Sequence, residues 1–353
     1  MSRFFSGKFD ALTPYTPGEQ PKGQTFVKLN TNESPFPPAP LAQKYAREEA
    51  KKLQLYSDPQ CRDLVSMAAE KLGVAEDEIL FTNGSDEVLN FAFMAFADSR
   101  GAAFADITYG FYPVYGELHN VNVELIPLEE DFSLDYRKYC GIHKMIVIAN
   151  PNAPTGMEIP VWQIEEILKT NPDSVVVIDE AYVDFGGTSC YKLIKNYVNL
   201  LVVRTFSKSR CLAGARLGYA FGSKELIEDL EKLKYSTNPY NVNRLSMLLG
   251  CKTVDAEPYY QEVSEKIQSA RTWVVDALKD LGFQVLPSSA NFIFASHPGV
   301  SGQELYTGLR QRGILVRHFT KERIKDFVRI TIGTQAQMES LVAALKDMTG
   351  GEQ

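Results

Sequence analysis

Apolar residues along this 353-residue chain fall into two recurring textures. In the first, nearly every position of a short run is apolar: EILFT (78–82), MIVIAN (145–150), SVVVID (174–179) and LLVV (200–203). A strand with no polar face has to be covered on both sides, as in a parallel sheet. In the second texture apolar residues recur at helical spacing. It covers 63–72, closed by Gly73 as a C-cap, then EVLNFAFMAFA (87–97), VWQIEEILKT (161–170), 224–235 and 243–251. Residues 102–126 repeat strand, helix and strand around YGFYPVY. This alternation predicts an α/β fold with a mostly parallel central sheet and helices on both faces.

The texture changes at both ends. Residues 1–40 are rich in proline and contain KLNTNESPFPPAP, which predicts an extended arm. Phe4, Phe5 and Phe9 before it have the spacing of a short amphipathic helix, and LAQKYAREEAKKLQ (41–54) predicts a helix that YSDP breaks. A long helix is predicted over 257–281. Beyond Gly282 the order strand, strand, helix, strand, strand, helix predicts a small α+β domain. The expected division is an arm over 1–42 that joins the small domain and a partner subunit, a large domain over 43–255 and a small domain over 256–353.

With 44% hydrophobic and 23% charged residues, the chain has the composition of an ordinary globular protein. A net charge of -7 argues against nucleic acid or an anionic membrane as partner. No apolar run approaches a membrane span, and MSRFFSGKFD does not read as a signal peptide. Cys61, Cys140, Cys190, Cys211 and Cys251 lack CxxC spacing and read as free thiols, which makes the cytoplasm the expected compartment. Four histidines without ligand spacing give no case for a metal.

The candidate chemistry collects at strand ends. LLVV runs into TFSKSRCLAGARLGY, which sets Lys208 just past a buried strand, where a lysine partly removed from water can form a Schiff base. Ser207 and Arg216 are residue types that hold a phosphate through a hydroxyl and a planar guanidinium. Asp179 ends a β-branched run, and a buried carboxylate there needs a cation, such as a protonated pyridine nitrogen; Tyr182 lies within reach of the same ring. Gly84, Ser85 and Asp86 form a strand-to-helix turn, the geometry that aims backbone N–H groups at an anion. The turn PNAPTG presents Asn152, and the aromatic residues of YGFYPVY are suited to stacking on a flat heteroaromatic ring. In an open parallel sheet these strand ends converge on one crevice, so the set predicts a pyridoxal 5'-phosphate site. Arg317 and Arg329, on apolar strands of the small domain, are candidates for an anion or for an internal ion pair.

NPNAPTG, DEAYVDF, TFSKSRCLAGARLGY and RITIGT together resemble the signatures of fold-type I pyridoxal-phosphate-dependent aminotransferases. PYTPGEQP, KLNTNESPFPP, ANFIF and VRHF narrow the resemblance to the histidinol-phosphate aminotransferase family over essentially the whole chain. Asn-Glu-Ser-Pro stands where Asn-Glu-Asn-Pro is commoner in that family. The resemblance implies that Lys208 carries the cofactor, Asp179 pairs with its ring nitrogen, Asn152 and Tyr182 bond its phenolic oxygen, and Tyr112 stacks on the ring. It further implies that Gly84, Ser85, Ser207 and Arg216 hold the phosphate, joined by Tyr56 from the other subunit of a homodimer, with Asp86 among the cofactor-binding residues. Tyr15, Asn32, Arg317 and Arg329 would meet the substrate, Tyr15, like Tyr56, serving the partner's site. The implied reaction converts L-histidinol phosphate and 2-oxoglutarate to imidazole-acetol phosphate and L-glutamate, a step of histidine biosynthesis. The alternatives are an aromatic-amino-acid aminotransferase or a threonine-phosphate decarboxylase-like enzyme. A cofactor-binding regulator is disfavoured, since no helix-turn-helix segment or basic region precedes the arm.

Overall fold

The computed structural model describes residues 2–10, 12–23 and 25–350. The chain begins with a single 3-10 turn over Gly7–Phe9 that buries nothing, and Phe4 is 81% exposed. The three phenylalanines therefore do not build the short amphipathic helix their spacing predicts, because so short a segment cannot offset the cost of helix nucleation. The extended arm comes next and contains β1 (Val27–Lys28), and then come α1 (Pro40–Glu49) and α2 (Arg62–Leu72). Gly73 caps α2 in the left-handed region, φ 67°.

The large unit is built from β2 (Ile79–Thr82), α3 (Ser85–Phe96), β3 (Ala102–Ala105), α4 (Tyr112–Leu118), β4 (Val123–Ile126) and β5 (Met145–Ala149). It continues through α5 (Val161–Thr170), β6 (Val176–Asp179), β7 (Leu200–Thr205), β8 (Gly218–Phe221), α6 (Lys224–Thr237) and α7 (Arg244–Asp255). Its seven strands lie in the order β2-β8-β7-β6-β5-β3-β4. All neighbours are parallel except at β8, which pairs antiparallel with both β2 and β7. The reversal comes from the connection. Only a loop with a 3-10 turn joins β7 to β8, and a parallel return needs a crossover, usually helical, that packs on the sheet.

Every residue of β2, β3, β5, β6, β7 and β8 is buried, whereas the edge strand β4 buries only Ile126. One face of the sheet packs against α2, α5 and α7 through Leu64, Ile164 and Cys251. The other packs against α3, α4 and α6 through Val88, Tyr115 and Leu230. Each fully buried leucine, isoleucine or valine of these layers contributes roughly 1.5–3 kcal/mol of transfer free energy.

The long helix α8 (Glu257–Asp280) leads into the small unit: β9 (Gln284–Val285), β10 (Phe292–Ser296), α9 (Gly302–Gln311), β11 (Ile314–Leu315), β12 (Arg317–His318), β13 (Phe327–Thr331) and α10 (Gln335–Thr349). Four of its strands form an antiparallel sheet, β12-β13-β10-β9. The arm is fastened to this unit: β1 pairs in parallel with β11, and Glu19 grips Arg310 at 2.7 Å. Among the described residues no helix is long and apolar enough to cross a membrane, and the five cysteines are unbridged.

Candidate active site

β6 and β7 end side by side, Asp179 opposite Val203, so the loops beyond them open onto one crevice. Alternation along the backbone separates the two acids at the end of β6. Glu180 turns away and pairs with Arg204 at 2.9 Å, with no exposed surface of its own. Asp179 faces a cavity of about 330 Å³ that Ser85, Asp86, Tyr109, Ala153, Tyr182, Thr205, Ser207, Lys208 and Arg216 also line. Its Oδ1 accepts from the Ala181 N–H at 3.1 Å and its Oδ2 from the Tyr112 hydroxyl at 2.8 Å. Burial pushes the Asp179 carboxyl up to about 6; the Tyr112 and Ala181 hydrogen bonds and the Lys208 charge pull against that rise. The half-buried Lys208 holds its Nζ 5.6 Å from the centre of the Tyr182 ring.

One end of this cavity is a cradle for an anion. Gly84 turns the chain at φ 79° into α3, whose first residues Ser85 and Asp86 line the cavity. A Cβ at Gly218 would collide with the backbone of Gly84 and Ser85, so only glycine lets β8 pass so close to the turn. Arg216 reaches across, 3.4 Å from the Ser207 hydroxyl and 2.9 Å from Asp86 Oδ2. An amine, a carboxylate and an N–H, hydroxyl and guanidinium cradle in one crevice are the parts that pyridoxal phosphate needs. The residues fit that group.

A second cavity of about 450 Å³ shares Tyr109 and Ala153 with the first. The arm closes it with Thr13, Pro14, Tyr15 and Thr16, and the small unit supplies Arg317, Phe319, Lys321 and Arg329. Tyr15, expected to serve a partner's site, lines this chain's own cavity, held there by packing on Phe111 with ring centroids 4.6 Å apart. Arg317 and Arg329 stand directly opposite each other on β12 and β13. Like charges in that register repel unless an anion joins them. Arg317 donates to the Thr16 and Pro17 carbonyls at 2.9 and 3.1 Å. Arg329 donates to the Asn30 carbonyl at 3.1 Å, while its enclosed Nε has no partner among the described residues. Burial, with Arg317 adding to it, lowers the pKa of the Arg329 guanidinium.

Three expected residues stand elsewhere. Tyr112 does not reach the crevice with its ring: it is fully buried as the first residue of α4, under Asp179, and Tyr109, one turn earlier, lines both cavities instead. Asn152 points away, donating to the Ile107 carbonyl and Thr155 and accepting from Thr108, and lines a separate cavity of about 510 Å³. Ala153 takes the crevice side of that turn. Asn32 is also committed, its Nδ2 to the Tyr182 hydroxyl at 2.9 Å and its Oδ1 to Thr331 at 3.0 Å. It reaches the site through Tyr182. Tyr56, expected in a partner's site rather than this one, is 78% exposed and stacked on Tyr240 at 4.5 Å, outside its own chain's crevice. Tyr109 was legible in part: Tyr112 and Tyr115 fall on the inward face of a helix, which leaves Tyr109, before the helix, for the crevice.

The family model for aminotransferase class I and II matches residues 24–345. A histidinol-phosphate aminotransferase of Clostridium acetobutylicum is 48% identical over 98% of this chain and 99% of its own. Another, from a Marinomonas species, is 48% identical over 99% of this chain and 100% of its own. The crystal structure of a histidinol-phosphate aminotransferase from Sinorhizobium meliloti in complex with pyridoxal-5'-phosphate superposes with a TM-score of 0.90, at 23% identity, over 99% of this chain and 98% of that one. That likeness establishes the fold. The chain belongs to the class I and II aminotransferases and, within them, to the histidinol-phosphate aminotransferases.

Proposed function

We propose that the protein holds pyridoxal 5'-phosphate on Lys208 and moves the amino group of L-histidinol phosphate to 2-oxoglutarate, yielding imidazole-acetol phosphate and L-glutamate in histidine biosynthesis. The family assignment supports this reading, and one observation carries it: two arginines opposed across β12 and β13, facing a cavity that meets the Lys208 crevice at Tyr109 and Ala153. When bound, the cofactor supplies an electrophilic carbon and an electron-withdrawing pyridinium ring. The chain's residues do the rest. The Lys208 amine would take the donor's α-proton and carry it to the cofactor's electrophilic carbon rather than back to the donor. Asp179 holds the charge of the ring nitrogen, and Tyr182, oriented by Asn32, bonds the phenolic oxygen. Ser85, Ser207, Arg216 and the N–H groups that open α3 hold the phosphate. Arg329 and Arg317 take the donor's phosphate and, in the second half of the cycle, the oxo acid's carboxylate. Tyr15 and the arm cover the cavity and exclude water.

The Leu53, Leu55, Tyr56 and Tyr240 side chains are exposed, as expected of a face covered by a second copy whose site receives Tyr56. Sedimentation as a monomer at working concentration would contradict that part. The unbridged cysteines are consistent with the cytoplasm, where fractionation of the source cells should find the protein.

Single-turnover absorbance of the loaded enzyme tests the reaction, with L-histidinol phosphate, phenylalanine and O-phosphothreonine as donors. L-Histidinol phosphate should react fastest. Carbon dioxide released from O-phosphothreonine, with no amino transfer from histidinol phosphate, would overturn the reading.

A further inference from the structure

Three tyrosines, Tyr109 just before α4 and Tyr112 and Tyr115 within it, each give their hydroxyl to Asp86 or Asp179, two acids that line the crevice. Tyr109 donates to Asp86 Oδ1 at 2.9 Å, Tyr112 to Asp179 Oδ2 at 2.8 Å and Tyr115 to the Asp86 carbonyl at 2.9 Å. The middle one is wholly enclosed, packed edge-on against Phe104 and Tyr109, both with ring centroids 5.6 Å away. A buried phenol is costly without a partner, and this one has a carboxylate whose other hydrogen-bond donor among the described residues is the Ala181 N–H. We propose that Tyr112 is the positioning residue for Asp179, its hydroxyl fixing the carboxylate's orientation toward the crevice and holding it in the ionised form. The proposal rests on the reading of Asp179 as partner of the cofactor's ring nitrogen.

The surroundings make the hydroxyl consequential. Burial works against the Asp179 charge, and so does Asp86; Tyr112, Ala181 and Lys208 work for it. Burial and Asp179 together push the Tyr112 phenol well above its ordinary range, so it keeps its proton and acts only as a donor. Without the hydroxyl, the carboxyl rises further and is more often protonated at neutral pH. A protonated acid is a poor acceptor for the ring N–H. Losing one hydrogen bond to a buried charge corresponds to about ten- to a hundredfold in an equilibrium.

The test uses full-length apoprotein loaded with pyridoxal phosphate carrying nitrogen-15 in its ring. In Tyr112→Phe the ring-nitrogen resonance should move toward the unprotonated position, and the Kd for pyridoxal phosphate should rise about ten- to a hundredfold. The pH below which affinity falls should move up. Tyr115→Phe loses the same group from the same helix but from the Asp86 carbonyl, and should leave the resonance in place. If the phenylalanine variant does not accumulate folded, 3-fluorotyrosine at position 112, a stronger donor, should move the resonance the opposite way. An unmoved resonance in Tyr112→Phe, or equal movement in Tyr115→Phe, overturns the proposal. Asp179→Asn separates the two failures: if it too leaves the resonance unmoved, the reading of Asp179 is wrong, whereas movement there alone removes only the role of Tyr112.

Discussion

The two cavities of the site are built in different ways. The Lys208 crevice is a strand-end site: Asp179, Ser207 and Lys208 end or closely follow β6 and β7, and Ser85 comes just after β2, so a rigid sheet fixes their spacing. The arginine cavity is assembled from four separate parts of the chain: the arm near Tyr15, the α4 turn near Tyr109 and Gly110, the Ala153–Pro154 turn, and the small unit near Arg317 and Arg329. Much of its closure rests on backbone carbonyls of the arm held by those same arginines. The first cavity is preorganised by packing; the second depends on keeping separate segments together. Chemistry common to many substrates belongs in the first, and recognition of a particular anion in the second.

Breaking the first cavity should have the largest effect. Lys208→Ala would remove both the covalent anchor and the base proposed for this position, and should lower turnover on the order of 10⁴-fold or more. Borohydride should then leave no cofactor attached, whereas the unaltered protein retains it. Attachment that persisted would point to another lysine.

A smaller effect, on stability, sharpens the contrast. The Asp179 carboxyl moves from 3.8 to about 6 on folding, so the folded apoprotein binds more protons between those values than the unfolded chain. Its ionised form therefore destabilises the apoprotein above pH 6, by about 3 kcal/mol, and this penalty fades as pH falls through 6 and is gone below about 4. Asp179→Asn should raise the apoprotein's unfolding free energy at pH 7 by up to that amount and leave it nearly unchanged at pH 4. Equal effects at both pH values would mean that packing, not charge, governs the site. The proposed pairing of Asp179 with a cationic ring would relieve this penalty.

The same contrast explains what the sequence discloses. Lys208, Asp179, Ser207 and Arg216 are legible because each is tied to the end of a wholly apolar run or to the loop just beyond it. Helices on both faces are implied by those runs as well. The antiparallel strand β8 is not legible, because GYAF is too short to announce itself as a strand and its direction follows only once the short connection after β7 is seen to hold no helix. Asn152 and Tyr112 needed more. Whether an asparagine in a proline-rich turn faces the crevice depends on competition from Thr155 and the Ile107 carbonyl. The phase of α4 decides between Tyr109 and Tyr112. The role of Asn32 depends on Tyr182 and Thr331, 150 and 299 residues away, which no local pattern encodes.

Whether both cavities act on one substrate is decided by Arg329→Ala, in stopped-flow measurements of the two half-reactions. Removing one partner of a buried charged pair costs roughly 2–5 kcal/mol, a factor of roughly thirty to several thousand in kcat/KM. Losses of that size are expected with both L-histidinol phosphate and 2-oxoglutarate, while the cofactor's own absorbance stays intact. A variant that reacts normally with L-histidinol phosphate and fails only with the oxo acid would contradict a shared anion site.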